Sequence, residues 1–339
     1  MTTPPRFFAG IDVGGSKIAV LVTDRGLEVC ARRIVATSVD GGGDAVELIA
    51  AVLDATLADH HLGPADVAAI GVGVPGRVDP DTGIVSLAVN LGWHDLALGP
   101  QLAARYGVTV RVENDVRAAA AGLHERRILG DGADLAYLSI GTGISAGVVL
   151  NGRLHRGSRG LAGEIGHVVV DREGPACSCG LRGCFEALAS GRAVAQRAEA
   201  ALDAGVTSTL AGRRPVTAVD VYEAAAAGDE LALEIAESTG GYVARAVHEL
   251  VMAYDVPRVI VGGGVTLAGQ TFLDPIHRGL DRLRASSELA REVLPADVVH
   301  QLPAGSDPGA WGAVILARHA LADSSVAVGE GREVGHGTG

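Results

Sequence analysis

The chain has 339 residues, long enough for two domains with sizeable cores. It is 48% apolar with a formal net charge of −12, which argues against a disordered chain and against binding to nucleic acid or an anionic membrane. No apolar run reaches the roughly 20 residues of a membrane span, "MTTPPRFFAGIDVGG" has no signal-peptide pattern, and four cysteines in so long a chain do not make a secreted disulfide scaffold, so a cytoplasmic setting is expected.

The chain opens as strand, tight loop, strand: residues 7–13 (FFAGIDV), a GGS loop, and residues 17–24 (KIAVLVTD). A third strand-like run covers residues 28–39. Residues 44–60 have helical periodicity, with Asp44 as the expected N-cap. An apolar strand at 67–76 closes on a glycine-proline turn. Residues 108–116 (VTVRVENDV) form another strand and pass into a helix at 117–128. This order resembles half of a duplicated fold. The second half varies the theme, with strands at 134–143, 145–154 and 258–264 and several helices, including one over 229–255. A helix at 309–322, apolar on one face, is expected to return to the first domain. Residues 323–339 are polar and glycine-rich and read as a disordered tail.

Three strands end in glycine turns: DVGGSK at 12–17, GTG at 141–143 and GGG at 262–264. Without Cβ atoms, backbone N–H groups approach a phosphate closely. One such turn is more often only a turn. Three of them, with the first two each opening half of the duplication, point to a nucleotide. None has the P-loop or G-x-G-x-x-G spacing, so a different architecture holds it.

Asn114 and Asp115 fall where a strand becomes a helix. An aspartate there is either an N-cap or the carboxylate that phosphoryl transfer needs to orient a hydroxyl and take its proton. In "GEIGH", Glu164 and His167 suit adjacent sugar hydroxyls or form a surface salt pair, on a turn expected to run into a strand. Cys177, Cys179 and Cys184 with His167 have the count and type of a structural zinc set, although C-x-C-x4-C is not a ribbon spacing. The alternative, a Cys177–Cys184 disulfide, conflicts with a cytoplasmic setting and leaves an odd thiol. Cys30 reads as a small core residue.

The segments GIDVGGSK, GVGVPGRVD, VENDVRAAA, LSIGTG, GLAGEIGH, CSCGLRGCFE and VIVGGG, in that order over residues 7–320, resemble the ROK family (repressors, open reading frames, kinases). The resemblance implies an α/β, two-domain actin-like ATPase (ribonuclease H-like) fold with a cleft between domains. Residues 1–117, completed by the 309–322 helix, would form the first domain, and residues 118–308, with the zinc loop, the second. It implies ATP-dependent phosphorylation of a hexose hydroxyl, most simply glucose to glucose 6-phosphate. Asp115 would be the catalytic base. Asn90, Asn114, Glu164, His167 and Glu186 would bind the sugar, with Gly76 on the bordering turn. Asp12 would position Mg²⁺. Gly14, Gly15, Ser16 and Lys17 would meet the phosphates, with Thr142 and Gly143 as a second contact and Gly262 and Gly263 beside the adenosine. His167, Cys177, Cys179 and Cys184 would hold a structural Zn²⁺. Homodimers or homotetramers are implied as well.

This sequence departs from the family pattern in places. Ser16 replaces a usual Thr, and "ISAG" with Ser145 replaces a glycine run and is expected to narrow the site. Arg117 replaces an Asn, either reshaping the sugar pocket or lying exposed on its helix. The "NLGW" loop is short. These changes keep an amino sugar, an N-acetylhexosamine, mannose, fructose or a cyclitol open as acceptor, and polyphosphate open as donor. A sugar-sensing repressor of the same family needs a helix-turn-helix of some tens of residues, and a phosphate motif starting at Asp12 leaves no room for it. The acidic charge argues against a zinc-ribbon nucleic-acid module.

Overall fold

The computed structural model describes residues 6–37, 45–303 and 305–330. Asp44, the expected cap of the first helix, lies outside them. The chain divides into two compact units. The first takes the chain up to Gly132, the short segment Arg156–Leu161, and the chain from Asp307 onward; the second takes Ala133–His155 and Ala162–Ser306.

The first unit holds β1 (Phe7–Val13), β2 (Lys17–Thr23), β3 (Val29–Ala36), α1 (Ala45–Asp59), β4 (Val67–Val74), β5 (Arg77–Asp79), β6 (Ile84–Ala88), β7 (Trp93–Leu96), α2 (Leu98–Tyr106), β8 (Thr109–Asn114) and α3 (Asp115–Glu125). Five strands form a sheet in the order β3-β2-β1-β4-β8. The first three are joined antiparallel, while β4 and β8 run parallel to β1. β1 and β4 are apolar nearly throughout because both of their faces are covered. On one face Ile49, Leu53 and Leu57 of α1 and Leu98 and Leu102 of α2 pack with Ile11, Val20 and Ile70. Strands β5, β6 and β7 form a separate small sheet. Three to five residues each, they are too short to show a period in the sequence.

The second unit holds β9 (Leu135–Ile140), β10 (Ile144–Leu150), β11 (Arg153–His155), α4 (Phe185–Ala189), α5 (Gly191–Asp203), α6 (Ala218–Ala226), α7 (Glu230–Tyr254), β12 (Val259–Gly262), α8 (Gln270–Ser286), α9 (Glu288–Val293) and β13 (Val299–Gln301). Its sheet runs β11-β10-β9-β12-β13, again an antiparallel trio followed by two strands parallel to the first. The duplication is therefore topological. Helix α7 starts at Asp229, whose side chain accepts the Ala232 N–H, and it buries Ile235, Val243, Val247 and Leu250 in the core of this unit. Among the described residues no helix is long and apolar enough to cross a membrane.

Helix α10 (Pro308–Glu330) belongs to the first unit, where Ala310, Val314 and Ala317 cover Phe8, Ala19 and Ala69 on the second face of the sheet. Two boundaries differ from the sequence reading. The first unit continues through α3 to Gly132 instead of stopping at residue 117. The cause is the packing of α3 on α10, where Arg318 donates to Glu125 at 2.7 Å. Helix α10 also runs past residue 322 to Glu330, and Asp323 accepts from Arg111 at 2.7 Å, so an irregular tail does not begin there. Residues 331–339 lie outside the described residues.

Candidate active site

Parallel strands deliver their C-terminal ends to one edge of a sheet. In the first unit this edge gathers the Gly14–Ser16 turn after β1, the Pro75–Gly76 turn after β4 and the Asn114–Asp115 junction after β8. The first turn is tight: the Gly14 N–H donates to the Lys17 carbonyl at 2.8 Å. Thr37 clasps it, its N–H donating to Ser16 O and its hydroxyl to Gly14 O, both at 2.9 Å. Gly15, Ser16 and Lys17 are exposed at the tip. Asn90 lies beside them, its Cβ 3.9 Å from the ideal Cβ position of Gly15.

Near the end of β1, the Asp12 carboxylate packs against Gly309 at the start of α10. Gly73 on β4 separates Asp12 from Asp115, its ideal Cβ position being 3.6 Å from Asp12 Oδ1 and 3.5 Å from Asp115 Cα. Burial pushes the Asp12 carboxyl up to about 7, the Asp115 and Asp307 carboxylates add to the rise, and Lys17 opposes it. A carboxyl raised by burial and then by neighbouring carboxylates has the chemistry that a hard divalent cation with oxygen ligands relieves. Asp307 was not among the sequence candidates, because in "SDPG" it reads as an ordinary helix start.

At the β8–α3 junction the cap is Asn114. Its Oδ1 accepts the N–H groups of Val116 and Arg117, both at 3.1 Å. Its Nδ2 donates to the Gly76 carbonyl at 3.2 Å, which leaves at most one N–H of the amide for a ligand. Gly76 has φ +97°, and a Cβ there would strike the Leu87 carbonyl, so this turn requires glycine. Asp115 becomes the first helical residue, half-buried, its Oδ1 accepting the Val116 N–H at 2.9 Å. Arg117 does not lie exposed on its helix. It is buried and paired with the buried Glu113, because the turn from strand to helix brings the two side chains to the same side.

In the second unit β9 and β12 are adjacent and parallel, so the turns at 141–143 and 262–264 also leave one edge. Glu186 on α4 reaches the first of them. Its Oε2 accepts the Ile144 N–H at 3.1 Å and its Oε1 accepts the Ser178 hydroxyl at 3.3 Å. The carboxylate lies where a Cβ on Gly143 would be, so any larger residue there would have to displace the Glu186 side chain. Thr142 is exposed between them. Gly262 packs on the Tyr137 ring, and Gly263, at φ +94°, packs on the Ile140 backbone, so close packing and backbone conformation account for their identity. Glu164 precedes a single 3-10 turn, Ile165–His167, followed by an isolated bridge from Val169 to Cys184 instead of the expected strand. The Gly163 carbonyl of this turn accepts the Ala146 N–H at 2.8 Å and the Ser145 hydroxyl at 3.3 Å. Ser145 thus ties the Glu164 turn to β10.

All four cysteines are free thiols, and Cys30 is half-buried on β3, not in the core. The donor atoms of His167, Cys177, Cys179 and Cys184 lie within 4.8 Å of one another. Cys177 Sγ is 3.7 Å from His167 Nδ1, and Cys179 Sγ is 3.7 Å from Cys184 Sγ. Tetrahedral bonds of about 2.3 Å separate two sulfurs by about 3.8 Å, so the spacing fits zinc. As thiols the set is crowded: burial first, then the other two sulfurs, push Cys184 up to about 12, while the Leu181 backbone holds Cys179 below the usual thiol range. Nδ1 of His167 faces the sulfurs, which leaves Nε2 for another partner.

The ROK family profile matches residues 8–320 of this chain. A glucokinase from Halalkalibacterium halodurans is 38% identical over 280 residues, covering 80% of this chain and 84% of that protein. The xylose repressor of Caldicellulosiruptor bescii is 31% identical over 226 residues, 65% of this chain and 56% of that protein. A crystal structure of a ROK family glucokinase from Streptomyces griseus with glucose and AMPPNP aligns with TM-score 0.76 at 33% identity, covering 92% of this chain and 99% of that one. The duplicated sheets are the actin-like ATPase architecture of these kinases, and with all seven motifs inside the matched span, the chain belongs to the ROK family.

Proposed function

We propose that the chain is an ATP-dependent hexose kinase that phosphorylates glucose. The observation that carries this reading is the edge of the first sheet, where Asp115, the first helical residue after the Asn114 cap, follows the same parallel strands that present Asp12 and the exposed Gly14–Ser16 turn. In this reading Asp115 orients the acceptor hydroxyl and takes its proton late in transfer. Gly14, Gly15, Ser16 and Lys17, with Thr142 and Gly143, cradle the phosphates, and Gly262 and Gly263 border the adenosine. Asp12 helps hold Mg²⁺, which supplies charge neutralisation at the transferring phosphoryl group. Asn90, Asn114, Glu164, His167 and Glu186 pair with the sugar hydroxyls beside Gly76.

Zinc on His167, Cys177, Cys179 and Cys184 acts as a structural staple, leaving His167 Nε2 for the sugar and needing the reduced thiols of a cytoplasmic setting. Assembly as a homodimer or homotetramer belongs to the same reading and is checked by light scattering. The function is tested by a coupled ADP-release assay against hexoses, hexosamines, N-acetylhexosamines and cyclitols. Glucose is expected to have the highest kcat/KM. If another acceptor exceeds it by a wide margin, glucose is the wrong assignment and the kinase reading stands; no ATP-dependent turnover of any sugar overturns the kinase reading.

A further inference from the structure

Glu113 immediately precedes the Asn114–Asp115 junction, and its side chain is 0% exposed. Both of its oxygens are met. Oε1 accepts from Arg117 Nε at 2.8 Å and from the Asn114 N–H at 2.9 Å, and Oε2 accepts from Arg156 Nε at 2.5 Å. Arg117 is 2% exposed and Arg156 32%. Through Nη1, Arg117 also donates to the Gly160 carbonyl at 2.8 Å. Arg156 and Gly160 both lie on Arg156–Leu161, a short segment that belongs to the first unit although the chain on either side of it belongs to the second. Three residues beyond Leu161 comes Glu164.

A buried ion pair is a poor device for stability alone, since an apolar pair of the same volume avoids the desolvation penalty. What this cluster does that an apolar pair cannot is fix direction. Arg117 is a rigid fork with one donor on Glu113 and another on Gly160, so it sets the distance between the β8–α3 junction and the Arg156–Leu161 segment. Glu113 in turn holds the backbone N–H of Asn114, the residue that caps α3 and precedes Asp115.

We propose that Arg117 and Arg156 are positioning residues for phosphoryl transfer, acting through Glu113 to hold the Asp115 junction and the segment leading to Glu164 in one arrangement. The inference rests on the kinase reading, in which Asp115 takes the hydroxyl proton. Neither arginine contacts the sugar or the nucleotide in this scheme. Misplacement of a reacting group by about 1 Å costs on the order of 10²-fold in rate, so the effect is expected in turnover.

The test compares wild type with Arg117→Met, Arg117→Lys, Arg156→Gln and the double variant Glu113→Gln/Arg117→Met, using glucose and ATP and reading Tm, kcat and both KM values. Arg117→Met is expected to lower Tm by several degrees and kcat by about 10- to 100-fold, with the KM for ATP within about twofold of wild type. The double variant leaves no buried carboxylate short of a partner, so its Tm returns toward wild type while kcat stays at least about tenfold down. Arg117→Lys, with a compact ammonium in place of the fork, likewise keeps stability better than rate. Recovery of kcat together with Tm in the double variant overturns the proposal, since a purely structural cluster behaves that way. If the Arg117 variants do not fold, Arg156→Gln at the more exposed end decides: a kcat reduced about fivefold or more supports positioning, and a wild-type kcat overturns it. A wild-type chain that phosphorylates no sugar overturns the kinase reading itself, whereas these variant outcomes bear on the cluster alone.

Discussion

The two sheets share one strand order and one pattern of directions, yet their glycine hairpins are furnished differently. In the first, β1 carries its own carboxylate, Asp12, paired in register with Ala19, and the turn that follows is open at its tip. In the second, the equivalent position on β9 is Ser139, paired with Ser145, and the carboxylate at the turn is Glu186, brought from α4 and laid over Gly143. Topology decides where a turn emerges. The charge at that turn is supplied separately, by the strand itself in one unit and in the other by a helix that directly follows the cysteine loop.

The sharpest way to break this comparison is to remove the carboxylate assigned to chemistry. Asp115→Asn is expected to lower kcat by about 10²–10⁴-fold while glucose binding, measured by calorimetry, changes by no more than a few-fold. Near wild-type turnover would remove Asp115 from the base role.

The second unit depends on its thiol loop, so metal analysis comes next. Purified, unoxidised protein is expected to carry about one zinc per chain, and elemental analysis without zinc would overturn that site. Cys184→Ala should lose the metal, lower Tm by about 5–15 °C and raise the glucose KM, because Glu186 follows Cys184 by two residues.

Asp12 offers a prediction with a pH signature. Its folded value is raised to about 7, so the folded state holds this proton more tightly than the unfolded chain. That contribution to stability is fully present below the unfolded carboxylate value near 4 and is lost as pH rises through about 7. Asp12→Asn, neutral at every pH, should therefore stabilise the nucleotide-free protein by about 4 kcal/mol at pH 8 and by almost nothing at pH 4, while turnover collapses. Equal stabilisation at both pH values in denaturant melts would reject a buried, carboxylate-crowded Asp12 as the cause.

The smallest effects compare the hairpins directly. Gly143→Ala drives a methyl into the Glu186 carboxylate and should cost about 1–3 kcal/mol and raise the glucose KM. Gly15→Ala adds a methyl in ordinary contact with Asn90 and should change stability by less than about 0.5 kcal/mol. Equal costs at the two positions would mean that the second turn is not shaped by Glu186.

Much of this protein was legible in the linear chain because its signals are local. Apolar runs ending in glycine marked β1, β4, β9 and β12, and their repetition marked the duplication. Three cysteines in one short loop named their own donor set, with His167 ten residues away. The residues that tertiary structure alone decided are those whose meaning depends on a distant neighbour. "VENDV" does not say that Asn114 takes the cap, because that depends on the entry angle of α3. Arg117 read as a pocket or surface residue because Gly160, whose carbonyl it meets, and Arg156, which shares its Glu113 partner, lie some forty positions away, and a buried guanidinium is recognisable only by what compensates it. Asp307 reads as an ordinary helix start until α10 returns to the first sheet and sets it near Asp12. The small β5–β7 sheet was invisible for the opposite reason: its strands are too short to carry a period, and only pairing makes them strands. Local pattern thus determined the elements and the chemistry they carry, while charge compensation and capping, which act through space, were decided by the packing.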